Sequence, residues 1–135
     1  MSVITFEVAG TPAPQGSKIR TRYGMRESSK RVKPWRDLVK QAASIRADEL
    51  CLLTPLEPPY RVDVWFYIRK PRTTRALWPV APTVGDVDKL ARAANDALTA
   101  SGIIHDDRFI TELSASKQWA GDGETPGAII RITEL

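Results

Sequence analysis

Ile4, Phe6 and Val8 alternate with Thr5 and Glu7, so Val3 to Val8 carries the two-residue period of a half-buried strand. Prolines and a glycine in TPAPQGSK interrupt it, and the residues that follow have no clean period and are expected to form a loop. From Pro34, a residue suited to the first turn of a helix, Trp35, Leu38, Val39, Ala42 and Ile45 recur at helical spacing to about Leu50. TPLEPP ends that element. Tyr60 to Ile68 alternates again, with Tyr60, Val62, Val64, Phe66 and Ile68 set against Arg61, Asp63, Trp65 and Tyr67. Residues Arg69 to Val84 form a second loop marked by prolines. Beyond it Val87, Leu90, Ala91, Ala94, Ala97 and Leu98 follow helical spacing, with Gly102 where a C-terminal cap belongs. RFITELSASKQW and GAIIRITEL then predict two strands joined through AGDGETPG. The order strand, helix, strand, helix, strand, strand predicts an α+β fold, a small mixed sheet with two helices, built as one domain over residues 1–135.

Composition narrows the class. Hydrophobic residues make up 42% and charged residues 27% of the chain, which fits a globular domain and excludes wholesale disorder. The lone Cys51 allows no internal disulfide and no cysteine zinc site, as suits a reducing cytoplasm. No segment has the apolar length of a membrane span, and MSVITFEVAG lacks the layout of a secretion signal. A cytoplasmic protein with no membrane partner is expected.

Charge is unevenly distributed. The net charge is +4, yet Lys18 to Arg36 holds eight Lys/Arg against Glu27 alone, so the remainder is net acidic. Much of that acid lies in GDVDKLARAANDALTASGIIHDD, which contains Asp86, Asp88, Asp96, Asp106 and Asp107. On a helix, Asp88, Arg92 and Asp96 follow at i, i+4 and i+8 with Asn95 alongside, and Asp86 falls just before the first turn.

Two readings of this segment stand. In the plainer one, Asp86 is an N-cap, Asp88–Arg92–Asp96 an exposed salt-bridge ladder, and Asp106–Asp107 a solvated turn. In the other, a following strand beside the helix brings Asp106–Asp107 back toward Asp86 and Asp88. Carboxylates within about 4 Å repel by roughly 1 to 4 kcal/mol per pair, a penalty that a divalent cation removes. Oxygen-only ligands suit Mg²⁺ or Mn²⁺ better than zinc. The basic loop directly ahead of Asp86 favours the second reading.

DVDKLARAANDALTASGIIHDD resembles the metal-binding signature of RusA-type crossover junction endodeoxyribonucleases, Holliday junction resolvases common in prophages. The matching features are the Asp86-x-Asp88 that opens the helix, the basic Arg92 one turn on, Asp96-Ala97-Leu98, Gly102 and the closing Asp106-Asp107. The N-terminal GTPAPQGSKIR is similar to the family's Gly-x-Pro-x-Pro followed by a basic turn, and the length and element order agree. The resemblance implies Mg²⁺ (Mn²⁺ as an alternative) held by Asp86, Asp88 and Asp107, and a homodimer that resolves four-way junction DNA by paired symmetric nicks. It implies no small-molecule cofactor. Arg92 stands where the family usually has lysine: it keeps the positive charge that would stabilise the transition state but does not readily release a proton. Lys89 is the other candidate for the lysine's role. Asp96, about 12 Å along the axis from Asp88, is expected to orient Arg92 or to pack. His105 is expected to be a bystander.

Lys18, Arg20, Arg22 and Arg26 in the first basic loop, Arg69, Lys70, Arg72 and Arg75 in the second, and Lys89 are the candidate phosphate contacts. Two further readings remain open. A catalytically silent DNA-binding protein of the same fold is favoured by Arg92 alone. A transferase that holds a nucleotide diphosphate through Asp-x-Asp is opposed by the chain's size and by the lack of a glycine-rich phosphate loop.

Overall fold

The computed structural model describes residues 2–16, 18–21, 24–27 and 30–135, with segments 18–21 and 24–27 described by their backbone alone. In chain order the elements are β1 (Val3–Ala9), β2 (Lys18–Thr21), β3 (Gly24–Glu27), α1 (Val32–Glu49), β4 (Tyr60–Ile68), α2 (Val87–Ser101), a 3₁₀ turn (Asp107–Phe109), β5 (Ile110–Trp119) and β6 (Gly127–Glu134). This is the predicted α+β order, with one addition. The first basic stretch, expected to be a loop, contains β2 and β3 paired antiparallel, Lys18 opposite Glu27 and Thr21 opposite Gly24. Its sequence, KIRTRYGMRE, is dense in cations and lacks a run of alternating apolar residues.

The main sheet runs β1-β6-β4-β5. β6 pairs antiparallel with both β1 and β4, so the last strand lies between two earlier ones, away from its sequence neighbour β5. β4 and β5 are parallel. Parallel neighbours cannot be joined by a tight turn, and here α2 supplies the crossover.

Helices cover one face of the sheet. From the strands come Ile4, Phe6, Val62, Val64, Phe66, Ile130 and Ile132, and both helices close over them. α1 contributes Val32, Trp35, Val39, Ala43 and Ala47, a stripe that begins before Pro34. The expected stripe shared Trp35 and Val39 with it, but Leu38 and Ile45 lie on the exposed side. α2 buries Leu90, Ala91, Ala93, Ala94, Ala97 and Leu98, and its small residues let α1 and the sheet approach closely. Asn95, read as part of the polar side, is buried as well.

On the opposite face, Asp63 is only 2% exposed. Arg131 reaches it at 3.1 Å and Arg61 at 3.3 Å, while the Arg131 guanidinium also lies 5.2 Å from the Trp65 ring centre. Burying a carboxylate is tolerable when it is paired twice in this way.

Gly127 opens β6 opposite Ala9, and a Cβ there would run into the carbonyl oxygen of Val8. At Gly123 a Cβ would meet nothing within 4 Å. Gly127→Ala should therefore lower the unfolding free energy by about 1–3 kcal/mol, measured by urea titration. An unchanged midpoint would show that the β1–β6 edge has room to shift.

Candidate functional site

The start of α2 is gripped from three sides. Gly85 has a φ of 92°, and a Cβ on it would collide with Pro14, so the N-terminal GTPAPQG segment packs directly on the turn before the helix. The N–H of Gln15 donates to the carbonyl of Lys89 at 3.0 Å, and Arg36 from α1 donates to the Gln15 side chain at 3.3 Å. Lys117 on β5 donates to the carbonyl of Gly85 at 2.8 Å. The two sequence patterns that looked alike in function, far apart in the chain, thus meet in space.

At this held turn the carboxylates have little to do structurally. Asp86 occupies the N-cap position in extended geometry, yet its side chain makes no capping hydrogen bond. Its ion pair is with Lys89, at 3.7 Å. Asp88 lies exposed in the first turn, where the helix N-terminus favours a negative charge. Arg92 is exposed one turn later. Among the described residues no ion pair links Asp88, Arg92 and Asp96, so the salt-bridge ladder of the plainer reading is not formed.

The second acidic group is built differently. Tyr60, at the start of β4, donates its hydroxyl hydrogen to the carbonyl of Leu56 at 2.5 Å and accepts from the N–H of His105 at 3.2 Å. That bond fixes the turn into the 3₁₀ segment. Asp106 caps this segment by accepting from the N–H of Arg108 at 2.9 Å, and that bond holds its carboxyl below the ordinary value. Asp107 shows the opposite shift. Partial burial raises its carboxyl pKa, and the negative charges and side-chain contacts of Asp106 and Asp96 raise it further. Asp107 is thus the strained member of the pair, and Asp96 is its neighbour on α2.

The predicted set therefore falls into two places. Asp86, Asp88, Lys89 and Arg92 share the start of α2, while Asp107 faces Asp96 farther down the helix. Ten residues separate Asp86 from Asp96, roughly 15 Å of helix. Among the described residues no three His, Cys, Asp or Glu side chains gather closely enough to hold a metal ion. In donor chemistry the acids do suit a hard cation, since every candidate ligand is a carboxylate. Asp96, expected to orient Arg92 or to pack, makes no ion pair with Arg92 among the described residues and bears on the carboxyl of Asp107. His105 is exposed, its ring edge-on to Phe109 at 6.3 Å.

Arg69, Lys70, Arg72 and Arg75 are all exposed on the loop between β4 and α2. Trp119 on β5 donates to the carbonyl of Ala76 at 2.9 Å, and Arg31 donates to that of Thr83 at 2.9 Å, so the cationic loop is anchored beside the helix start. The side chains of Lys18, Arg20 and Arg26, and all of Arg22, lie outside the described residues. Lys117 is the positioning residue that sequence reasoning missed. A signal existed, because it is a lone cation in phase with Leu113 and Ala115 along β5.

Exposed carboxylates at a helix start, one paired with Lys89, thus stand beside an anchored loop of arginines and lysine. A sequence model of the RusA endodeoxyribonucleases matches residues 9–133, nearly the whole chain, and the protein belongs to that family. Membership makes it an endodeoxyribonuclease and implies Holliday junction resolvase activity. A search of curated proteins finds no significant match. No helix among the described residues is long and apolar enough to cross a membrane.

Because ionised Asp107 is disfavoured in the folded chain, the native state holds its proton to higher pH than the unfolded state does. The resulting destabilisation is absent below the unfolded carboxylate pKa and fully present above the raised native one. Asp107→Asn should accordingly raise the melting temperature at pH 7 in EDTA, and the gain should vanish near about pH 3. A loss of stability at pH 7 would mean that the Asp107 charge is favourably held.

Proposed function

We propose that the protein is a Mg²⁺-dependent, structure-selective endonuclease that resolves four-way DNA junctions by paired symmetric nicks as a homodimer. The observation that carries this reading is the pair of carboxylates, Asp86 and Asp88, left without capping or laddering roles at a rigidly held helix start beside a cationic loop. Mn²⁺ could substitute for Mg²⁺, because the donors are all oxygen.

Asp86, Asp88 and Asp107 are the proposed ligands. When bound, the ion supplies an acidified water and charge neutralisation at the scissile phosphate. Arg69, Lys70, Arg72 and Arg75 hold flanking phosphates and fix the strand's register. Arg92, exposed one turn into α2, offsets the negative charge that grows on the phosphate as the bond breaks; a guanidinium does not readily release a proton to the leaving group. Lys89 is half-buried against Asp86 and orients that carboxylate.

The dimer follows from the same separation of acids. Asp107 is influenced by Asp96 of its own chain, about three helical turns from Asp86, which supports a site in which a second copy's Asp107 joins Asp86 and Asp88. Two such sites, related by a two-fold axis, suit the two equivalent strands of a junction.

Asp88→Asn should retain junction binding and lose Mg²⁺-dependent nicking of labelled four-way junctions. Asp107→Asn should do the same. When the two inactive variants are mixed and allowed to exchange subunits, each mixed dimer holds one intact site, and single-strand nicks should reappear. If the mixture stays inactive, each chain uses its own Asp107. Full nicking by Asp88→Asn would remove the metal-site reading, and wild-type binding without nicking in Mg²⁺ or Mn²⁺ would favour a silent DNA-binding protein.

A further inference from the structure

The loop between β4 and α2 displays apolar side chains where a loop would ordinarily hide them. Leu77, Trp78 and Val80 are 84%, 62% and 70% exposed, while Pro79 between them is buried. Their backbone is well held. Ala76 N–H donates to the Thr74 hydroxyl oxygen at 3.2 Å, Val80 N–H to the Trp78 carbonyl at 2.9 Å and Val84 N–H to the Ala81 carbonyl at 3.0 Å. Trp119 and Arg31 clamp the loop on either side of this tip through Ala76 and Thr83. Hydrophobic burial would draw a free Trp–Leu pair onto the protein, so a loop pinned with that pair outward presents it to a partner.

Charge identifies the partner. The sequence contains no acid between Asp63 and Asp86, and Arg69, Lys70, Arg72 and Arg75 stand exposed just ahead of the tip. A run of exposed cations leading into an exposed aromatic ring matches a phosphate backbone with a free base face beside it. Linear duplex DNA offers no such face, because each base is covered above and below. A branch point does, where the stack is interrupted. The tip also lies only five residues from Gly85, the turn that sets Asp86 and Asp88.

We propose that Leu77–Val80 is a stacking wedge: Trp78 stacks on a base exposed at the branch point of the DNA, and the flanking cations hold the adjoining phosphates. This rests on the junction-nuclease reading and adds the element that distinguishes branched from linear DNA. Leu77 and Val80 flank the ring and exclude water from the stacked base.

The test is the dissociation constant of the full-length protein for a four-way junction and for a linear duplex of the same arm sequence, both in EDTA. Wild type, Trp78→Ala and Trp78→Phe are compared. Because Trp78 is exposed, both variants should melt with wild type. The junction-over-duplex preference should fall about tenfold in Trp78→Ala and stay within about twofold of wild type in Trp78→Phe. An undiminished preference in Trp78→Ala overturns the wedge and leaves the nuclease reading standing. No preference in wild type itself removes both. If Trp78→Ala instead shifts the sedimentation of DNA-free protein from dimer to monomer, the patch is a protein contact and the wedge is wrong.

Discussion

The parallel pairing of β4 with β5 governs where every functional group lies. Strands running the same way must be linked by a crossover, so the chain leaves β4 at one end of the sheet and re-enters at the other. The exit loop and the start of α2 share the first end, which places Arg69 to Arg75 beside Asp86 and Asp88. The return turn sits at the second end, which places Asp107 against the middle of α2, at Asp96. Asp86 and Asp96 are separated by roughly 15 Å of helix, so the acids fall into two groups at different levels of α2.

Rigidity at the first end comes from contacts between distant parts of the chain. Pro14 fills the space above Gly85, and Lys117 holds the same glycine's carbonyl from below. These contacts order the backbone under Asp86 and Asp88 without engaging their carboxylates. At the second end the arrangement is reversed, since Asp106 is engaged in capping and Asp107 is pressed toward other acids. One site is preorganised and the other is electrostatically loaded. On the proposed reading, both conditions suit a cation bridging groups from two subunits.

Much of this was legible in the chain. Period-two alternation marked β1 and β4, and the helical spacing of Leu90, Ala91, Ala94, Ala97 and Leu98 located α2 and its buried face. Asp86, Asp88, Asp96, Asp106 and Asp107 stood out as acids gathered in a basic chain, and the family resemblance singled out Asp86, Asp88 and Asp107 among them. Other features depend on contacts that no local pattern encodes. The α1 stripe was rotated because Leu38 and Ile45 are apolar yet exposed, whereas Ala43 and Ala47 are small and central. β6 inserts between β1 and β4 through long-range pairing. Asp63 reads as an ordinary polar position until Arg61 and Arg131 are seen to fold over it. The separation of Asp107 from Asp86 was invisible too, because spacing along a chain does not say which way a return turn leads.

The most direct measurement is an anomalous difference map from crystals of the protein soaked in Mn²⁺. The account predicts an ion held by Asp86 and Asp88 of one protomer together with Asp107 of its partner. An ion bound by Asp96 and Asp107 of a single chain, or soaked crystals with no ion at Asp86 and Asp88, would contradict it.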